Sequence, residues 1–210
     1  MKTGLFPGKF NIIHQGHISA ALEAYSIVDH LYIVVLYDEE YEEKRYAEFG
    51  IPIISPWVRE RWWKTIMRDL ENVTVLSLSS KNTFNFFDWQ KSTKEMLKVT
   101  GSITDIFSSE LEYEAFFKKL YPTSLIHTLI KKSEVSATQI FKEGIYSSWS
   151  LLPRVVQNYF VQKIVILGAE SSGKTTLTRK LALWYQTEKV EEVARSFWEY
   201  YGGGFGKVLD

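Results

Sequence analysis

A glycine-rich segment late in the chain, Gly168-Ala-Glu-Ser-Ser-Gly-Lys-Thr175, has the pattern G-x-x-x-x-G-K-[ST] and fixes the local fold. The pattern requires a strand before it and a helix after it, and residues 163–167 and 175–186 fit these elements. Backbone N–H groups in such a turn bind phosphate at the start of the helix. We therefore predict a phosphate site whose members are Gly168, Glu170, Ser171, Ser172, Gly173, Lys174 and Thr175, the last as a Mg²⁺ ligand.

Only residues 176–210 follow this motif. A P-loop kinase needs several parallel strands, a second acidic Mg²⁺ ligand and a mobile basic segment. We therefore expect an incomplete P-loop domain over residues 161–210, in which Glu192 and Arg195 resemble an early kinase segment without partners. A lone strand and helix cannot bury both faces of the strand, so this domain is expected to be mobile, docked on the rest of the chain, or covered by a second copy.

The composition excludes several classes of protein. The chain has 25 basic residues (Lys and Arg) and 25 acidic residues (Asp and Glu). Because these charges balance, no overall charge favours binding to nucleic acid or to an anionic membrane. The absence of cysteine excludes a disulfide framework and a cysteine zinc site. No signal peptide or membrane-spanning run is visible, and we predict a cytoplasmic protein.

Apolar patterning predicts an α/β domain over residues 1–160, followed by the P-loop unit. Short apolar runs predict buried parallel strands, and longer helical patterns lie between them. The predicted strands are residues 3–10, 31–37, 73–78, 105–108 and 124–129, and the predicted helices are residues 16–28, 57–70, 88–99 and 113–120. The series predicts a Rossmann-like parallel sheet with helices on both faces. Residues 142–160, rich in serine, are the predicted boundary.

The turn after the first predicted strand contains His14 and His17 in an H-x-G-H pattern. In the same turn, Gly8 allows close approach of the backbone to a phosphate, Lys9 supplies charge, and the imidazoles can donate hydrogen bonds. Because ligands bind at the carboxyl ends of strands in open α/β sheets, we favour a phosphate site over an ordinary surface pair or a zinc site. The other histidines, His30 and His127, fit packed or rim positions.

The segment 135–140, Val-Ser-Ala-Thr-Gln-Ile, begins a predicted helix. Together with H-x-G-H, it resembles the nucleotidyltransferase superfamily, whose members grip the ATP triphosphate with both segments. A unit of this kind followed by the P-loop motif resembles the bifunctional NadR-type family, in which nicotinamide mononucleotide (NMN) adenylyltransferase is joined to ribosylnicotinamide kinase. The resemblance implies that the first domain makes NAD and pyrophosphate from NMN and ATP with Mg²⁺, and that the second phosphorylates nicotinamide riboside.

The resemblance assigns roles to residues of this chain. His14, His17 and Lys9 are the expected catalytic residues. Expected ATP contacts are Gly8, Phe10, Ser108, Ser109, Glu110, Ser136 and Thr138. Phe86 or Trp89 could stack on nicotinamide, and Arg59 could bind the NMN phosphate, although a solvated helix face is the alternative for Arg59.

One departure from the family pattern is Phe141, which stands where the family segment ends in arginine; Lys142 follows it. Arginine offers a planar fork for two phosphate oxygens that lysine does not reproduce. The departure motivates a second hypothesis, a catalytically silent sensor that binds ATP or NAD. A third hypothesis is an adenylyl- or cytidylyltransferase for another acceptor, such as a phosphopantetheine-like one. Because the P-loop domain is incomplete, we expect no phosphorylation of nicotinamide riboside by this chain.

Overall fold

A computed structural model describes residues 1–83, 85–129, 136–190 and Tyr200. Contacts within the chain define two compact units, Met1–Val161 and Gln162–Asp210. The stretch 142–160, predicted as a boundary, lies inside the first unit. It forms a 3₁₀ segment, Ile145–Leu151, and a helix, Arg154–Phe160, whose Val156 is fully buried.

The first unit is built on a sheet of five parallel strands. Its strands are β1 Thr3–Gly8, β2 His30–Tyr37, β3 Val73–Ser79, β4 Asp105–Ser108 and β5 Leu125–Thr128. They lie in the order β3-β2-β1-β4-β5. The chain order therefore reverses between β1 and β4, which opens a crevice at the carboxyl ends of these two strands. The predicted Rossmann-like sheet is confirmed.

Helices cover both faces of this sheet. Those of the first unit are α1 Gln15–Tyr25, α2 Glu39–Glu48, α3 Pro56–Ile66, α4 Phe86–Thr100, α5 Glu114–Leu120, α6 Ala137–Glu143 and α7 Arg154–Phe160, with a 3₁₀ turn at Leu111–Tyr113. Alternate residues of β2 point to opposite sides. Ile33 and Val35 join the core made with α1, α2, α3, α6 and α7, whereas Val34 joins the core made with α4 and α5. None of the helices in the described part of the chain is long and apolar enough to span a bilayer.

Helix α2 was not predicted, because only two of its residues, Glu42 and Tyr46, are buried and the sequence carries no apolar stripe. Its polar signals are nevertheless clear. The Asp38 side chain caps the helix by accepting from the Tyr41 N–H, and three glutamates occupy the first turn. Acidic side chains there interact favourably with the helix dipole.

In the second unit, the helix after the glycine-rich motif is α8, Lys174–Tyr185, as predicted. The predicted strand at residues 163–167 is wrong: the segment forms no strand, and Ile164, Val165 and Leu167 are 74–86% exposed. A strand exists only when a neighbour accepts and donates its backbone hydrogen bonds. No such partner is present among the described residues of this unit.

Candidate active site

A cavity of about 450 Å³ lies at the carboxyl ends of the central strands. It is bounded by the turn after β1, by α2, by the end of β4, by α4 and by the start of α6. The structure brings most of the predicted site residues to its wall: Gly8, Lys9, Phe10, His14, His17, Trp89, Ser108, Ser109, Glu110, Ser136 and Thr138. Residues separated by 130 positions in sequence thus face one space.

His14 is the N-cap of α1, and its Nδ1 accepts a hydrogen bond from the Gly16 N–H at 3.1 Å. Burial lowers the pKa of this imidazole to about 4. The ring is therefore neutral at pH 7, and since Nδ1 accepts, the proton resides on Nε2. The His17 ring stacks on it with centroids 3.9 Å apart. Both imidazoles lie at the cavity wall, where an N–H can be donated to an anionic ligand.

The buried neutral state of His14 makes a prediction for stability. Its pKa of about 4 in the folded chain lies below the ordinary 6.5, so the unfolded chain takes up the proton first as the pH falls. Stability is lost between about pH 6.5 and pH 4, by up to about 3 kcal/mol. His14→Asn keeps a cap for α1 without a titrating group. The free energy of unfolding of wild type relative to this variant is expected to fall over that pH range in denaturant titrations, and parallel profiles would contradict the assignment.

The turn between β1 and α1 is shaped by Phe10, whose backbone has φ +47° and whose ring is 5% exposed. The ring lies over Gly8, where an added Cβ would be 2.6 Å from Phe10 Cζ, so only glycine fits. The same ring packs edge-on against His17 at 5.2 Å and against Trp63 at 5.1 Å. Phe10 is thus a core residue that fixes the turn and supports His17.

Arg59 requires a correction. It neither lines the cavity nor lies on a solvated helix face, because its side chain is fully buried. Nη1 donates to the Lys9 carbonyl at 2.6 Å and to Asn11 Oδ1 at 3.0 Å, and the guanidinium forms a bidentate pair with Glu42. Burial raises the pKa of Glu42, and the charge of Arg59 opposes that shift. Arg59 therefore stabilises the turn through hydrogen bonds to Lys9 and Asn11 and does not face the cavity.

Helix α2 adds residues to the site that sequence reasoning missed. Tyr41 lies under Lys9, whose Nζ is 4.4 Å from the ring centroid. Arg45 Nη2 donates to Thr138 Oγ1 at 2.8 Å. The Ser136 hydroxyl accepts from the Gln139 N–H and so caps α6. The capping signal at Asp38 could have revealed this helix from sequence.

The other end of the cavity is aromatic. Trp89 lines it and contacts Tyr113 and Phe117, with ring centroids 5.2 and 5.6 Å away. Phe86, predicted as an alternative stacking residue, is outside this cavity. It is the first residue of α4, is 38% exposed, and lines a separate pocket with Ala115, Phe116 and Lys119.

At the end of β4, the buried Ser108 closes a tight turn. Its hydroxyl accepts from the Glu110 N–H at 3.1 Å and donates to the Glu110 carbonyl at 3.3 Å. This turn presents Ser109 and Glu110 to the cavity. An adenosine contact there stays a prediction.

The glycine-rich loop of the second unit turns into α8 through left-handed backbone at Ser171, φ +60°, and Gly173, φ +82°. Lys174 Nζ and Ser172 Oγ both donate to the Ala169 carbonyl, at 2.6 and 2.7 Å. The Lys174 ammonium therefore bonds to the backbone of its own loop. The Thr175 hydroxyl, predicted to ligate Mg²⁺, is on the exposed first turn of α8.

The remaining histidines have structural partners. His30 Nε2 is 2.9 Å from Thr74 Oγ1, and His127 Nε2 is 2.7 Å from Asp105 Oδ1. Within the described ranges, no three His, Asp or Glu side chains gather as a metal-binding group. Val135, Glu192 and Arg195 lie outside the described residues.

Comparison with known proteins identifies two family models along the chain. The cytidylyltransferase-like model matches residues 5–143, and the AAA domain model matches residues 163–209. The trifunctional NAD biosynthesis/regulator protein NadR of Escherichia coli K12 is 27% identical over 96% of this chain and 51% of that protein. The chain thus spans about half the length of the NadR relatives it matches, and the resemblance to NadR-type proteins is confirmed.

Two further relatives bear on the site. A crystal structure of NadR in complex with NAD and AMP-PNP superposes with a TM-score of 0.72 at 26% identity, covering 99% of this chain and 60% of that one. The phosphopantetheine adenylyltransferase of Mycoplasma mycoides subsp. mycoides is 30% identical over 58% of this chain and 79% of that protein. Both matches are longer than the second unit and so extend into the unit that contains the cavity.

Proposed function

We propose that this chain, which belongs to the cytidylyltransferase-like family, transfers AMP from ATP to NMN and so forms NAD and pyrophosphate. Adenylyl transfer as the reaction class is supported by the relatives, among them NadR and a phosphopantetheine adenylyltransferase. NMN as the acceptor is our proposal. It is carried by the cavity that places two imidazoles, Lys9 and two hydroxyls at one end and an aromatic wall at the other.

The proposed reaction is an in-line displacement. An oxygen of the NMN phosphate attacks the α-phosphorus of ATP, a new P–O bond forms, and the bond from the α-phosphorus to the bridging oxygen breaks to release pyrophosphate. No covalent intermediate with the protein is needed, so the protein positions the two substrates and neutralises charge. His14 and His17 donate to phosphate oxygens from the start of α1, and Lys9 adds a cation. Trp89 provides the face on which nicotinamide stacks.

Mg²⁺ belongs to the substrate in this proposal. It enters bound to the ATP phosphates, whose charge it partly neutralises in the way described for phosphoryl transfer generally. In the second unit, the loop before α8 is proposed as a separate nucleotide phosphate site, with the Thr175 hydroxyl available to Mg²⁺. Support for this second site is the match of the AAA domain model.

The direct test is formation of NAD by the purified chain from ATP, MgCl₂ and NMN, followed by coupling to a dehydrogenase. Phosphorylation of nicotinamide riboside is measured in parallel with the same sample. We expect NAD to form only when all three components are present. A folded sample that binds ATP but makes no NAD would refute the proposal.

A second candidate acceptor has a specific observation in its favour, the similarity to phosphopantetheine adenylyltransferase. Replacing NMN by 4′-phosphopantetheine in the same assay distinguishes the two acceptors by release of pyrophosphate. The silent-sensor alternative, motivated by Phe141, predicts nucleotide binding without pyrophosphate release from either acceptor.

A further inference from the structure

Arg45 is a charged residue of the cavity wall that belongs to none of the motifs found in the sequence. It lies on α2, its side chain is 26% exposed, and its guanidinium lies over the Phe49 ring at 5.0 Å. Arg45 donates one hydrogen bond to Thr138 and forms an ion pair with Glu48 at 3.7 Å. Among the described residues these contacts occupy two of the five N–H groups of the guanidinium. The guanidinium is thus held in place while still facing the cavity.

Two cations share this end of the cavity. Burial, and then the positive charge of Arg45, lower the pKa of Lys9, and the carboxylates of Glu42 and Asp38 only partly offset this. Glu42 is itself engaged by Arg59. Two partly buried cations held near each other are unfavourable in the empty protein, and a polyanion between them relieves the repulsion.

Phe141 explains how Arg45 reaches this position. Its ring is 6% exposed and packs against Tyr46 at 5.8 Å and Phe49 at 5.7 Å, which joins α6 to α2. The same junction brings Arg45 against Thr138 on the first turn of α6. The side chain of Phe141 therefore packs α6 against α2 and does not line the cavity.

We propose that Arg45 binds the polyphosphate of the nucleotide, together with His14 and His17, which line the same cavity. A guanidinium suits this place because it can hold Thr138 with one N–H and two phosphate oxygens with others. The inference deepens the proposed function and rests on it for the identity of the ligand. The arginine supplied by α2 takes the role that Phe141 leaves open on α6.

The test is calorimetric binding of tripolyphosphate, ATP and AMP, each with Mg²⁺, to the full chain carrying Lys174→Ala, which removes the cation of the separate loop before α8. Arg45→Ala is expected to weaken tripolyphosphate and ATP about ten- to a hundredfold and AMP less than twofold. Arg45→Gln, which can still donate to Thr138 but has no charge, is expected to lose as much, whereas Arg45→Lys should lose less. Lys44→Ala is the matched control, since Lys44 is 77% exposed and paired with Glu40.

Wild-type tripolyphosphate affinity in both Arg45→Ala and Arg45→Gln would overturn the inference. So would an equal loss for AMP and tripolyphosphate, because that pattern indicates a structural role for the arginine. If the Arg45 variants lose tripolyphosphate binding and the wild-type chain makes no NAD, the role of Arg45 is supported and the proposed function is refuted. Circular dichroism of each variant verifies that the fold is retained.

Discussion

His17→Ala is expected to lower kcat/KM for NAD formation by about a hundred- to a thousandfold, with most of the loss in kcat. The His17 ring lies at the cavity wall, stacked on His14 at 3.9 Å and supported edge-on by Phe10. A donor fixed in this position stabilises the negative charge that develops on the phosphate oxygens during transfer. Alanine removes the imidazole N–H and supplies no other donor. Steady-state rates at saturating ATP and NMN measure the effect.

Two variants separate this role from a general loss of structure. His17→Asn retains an N–H donor and is expected to recover part of the rate. His30→Ala is the matched histidine control. His30 begins β2, bonds to Thr74 of β3 and does not line the cavity. Near wild-type turnover in His17→Ala would remove His17 from the mechanism. An equal loss in His30→Ala would attribute the effect to folding.

Part of the sheet could be predicted because the inner strand β2 is a short, nearly continuous apolar run between turns. Parallel strands buried on both faces leave this pattern in the sequence itself. The histidine pair was also visible, since its spacing and its place after β1 are local properties. Position relative to the carboxyl end of a strand then indicates a ligand site without knowledge of the rest of the fold.

Contacts between distant segments could not be read in the same way. Arg59 lies 50 residues from Lys9, and in sequence it looks like any charge on an amphipathic helix. Arg45 reaches Thr138 across 93 residues, through a helix with almost no apolar face. Phe141 looked like the loss of a functional residue, whereas the structure shows an apolar contact that joins α6 to α2. Contacts at such separations leave no local pattern in the sequence.

Arg59→Met is expected to lower the free energy of unfolding by about 3–5 kcal/mol, because it leaves the buried Glu42 carboxylate without its partner. Arg59 is fully buried and Glu42 is 3% exposed, so solvent cannot replace the lost interaction. Lys98→Ala removes an exposed pair with Glu95 and is the control, with an expected change within about 0.5 kcal/mol. Denaturant titration followed by tryptophan fluorescence measures both.

The double variant Arg59→Met with Glu42→Leu separates stability from function. Two apolar side chains of similar volume need no partner charge, so much of the lost stability is expected to return. ATP affinity is expected to be below that of wild type, because the Lys9 carbonyl and the Asn11 side chain lack the donor that holds their turn. Wild-type ATP affinity in the stable double variant would show that the turn keeps its shape without Arg59. A change below about 1 kcal/mol in Arg59→Met would instead contradict the buried pair itself.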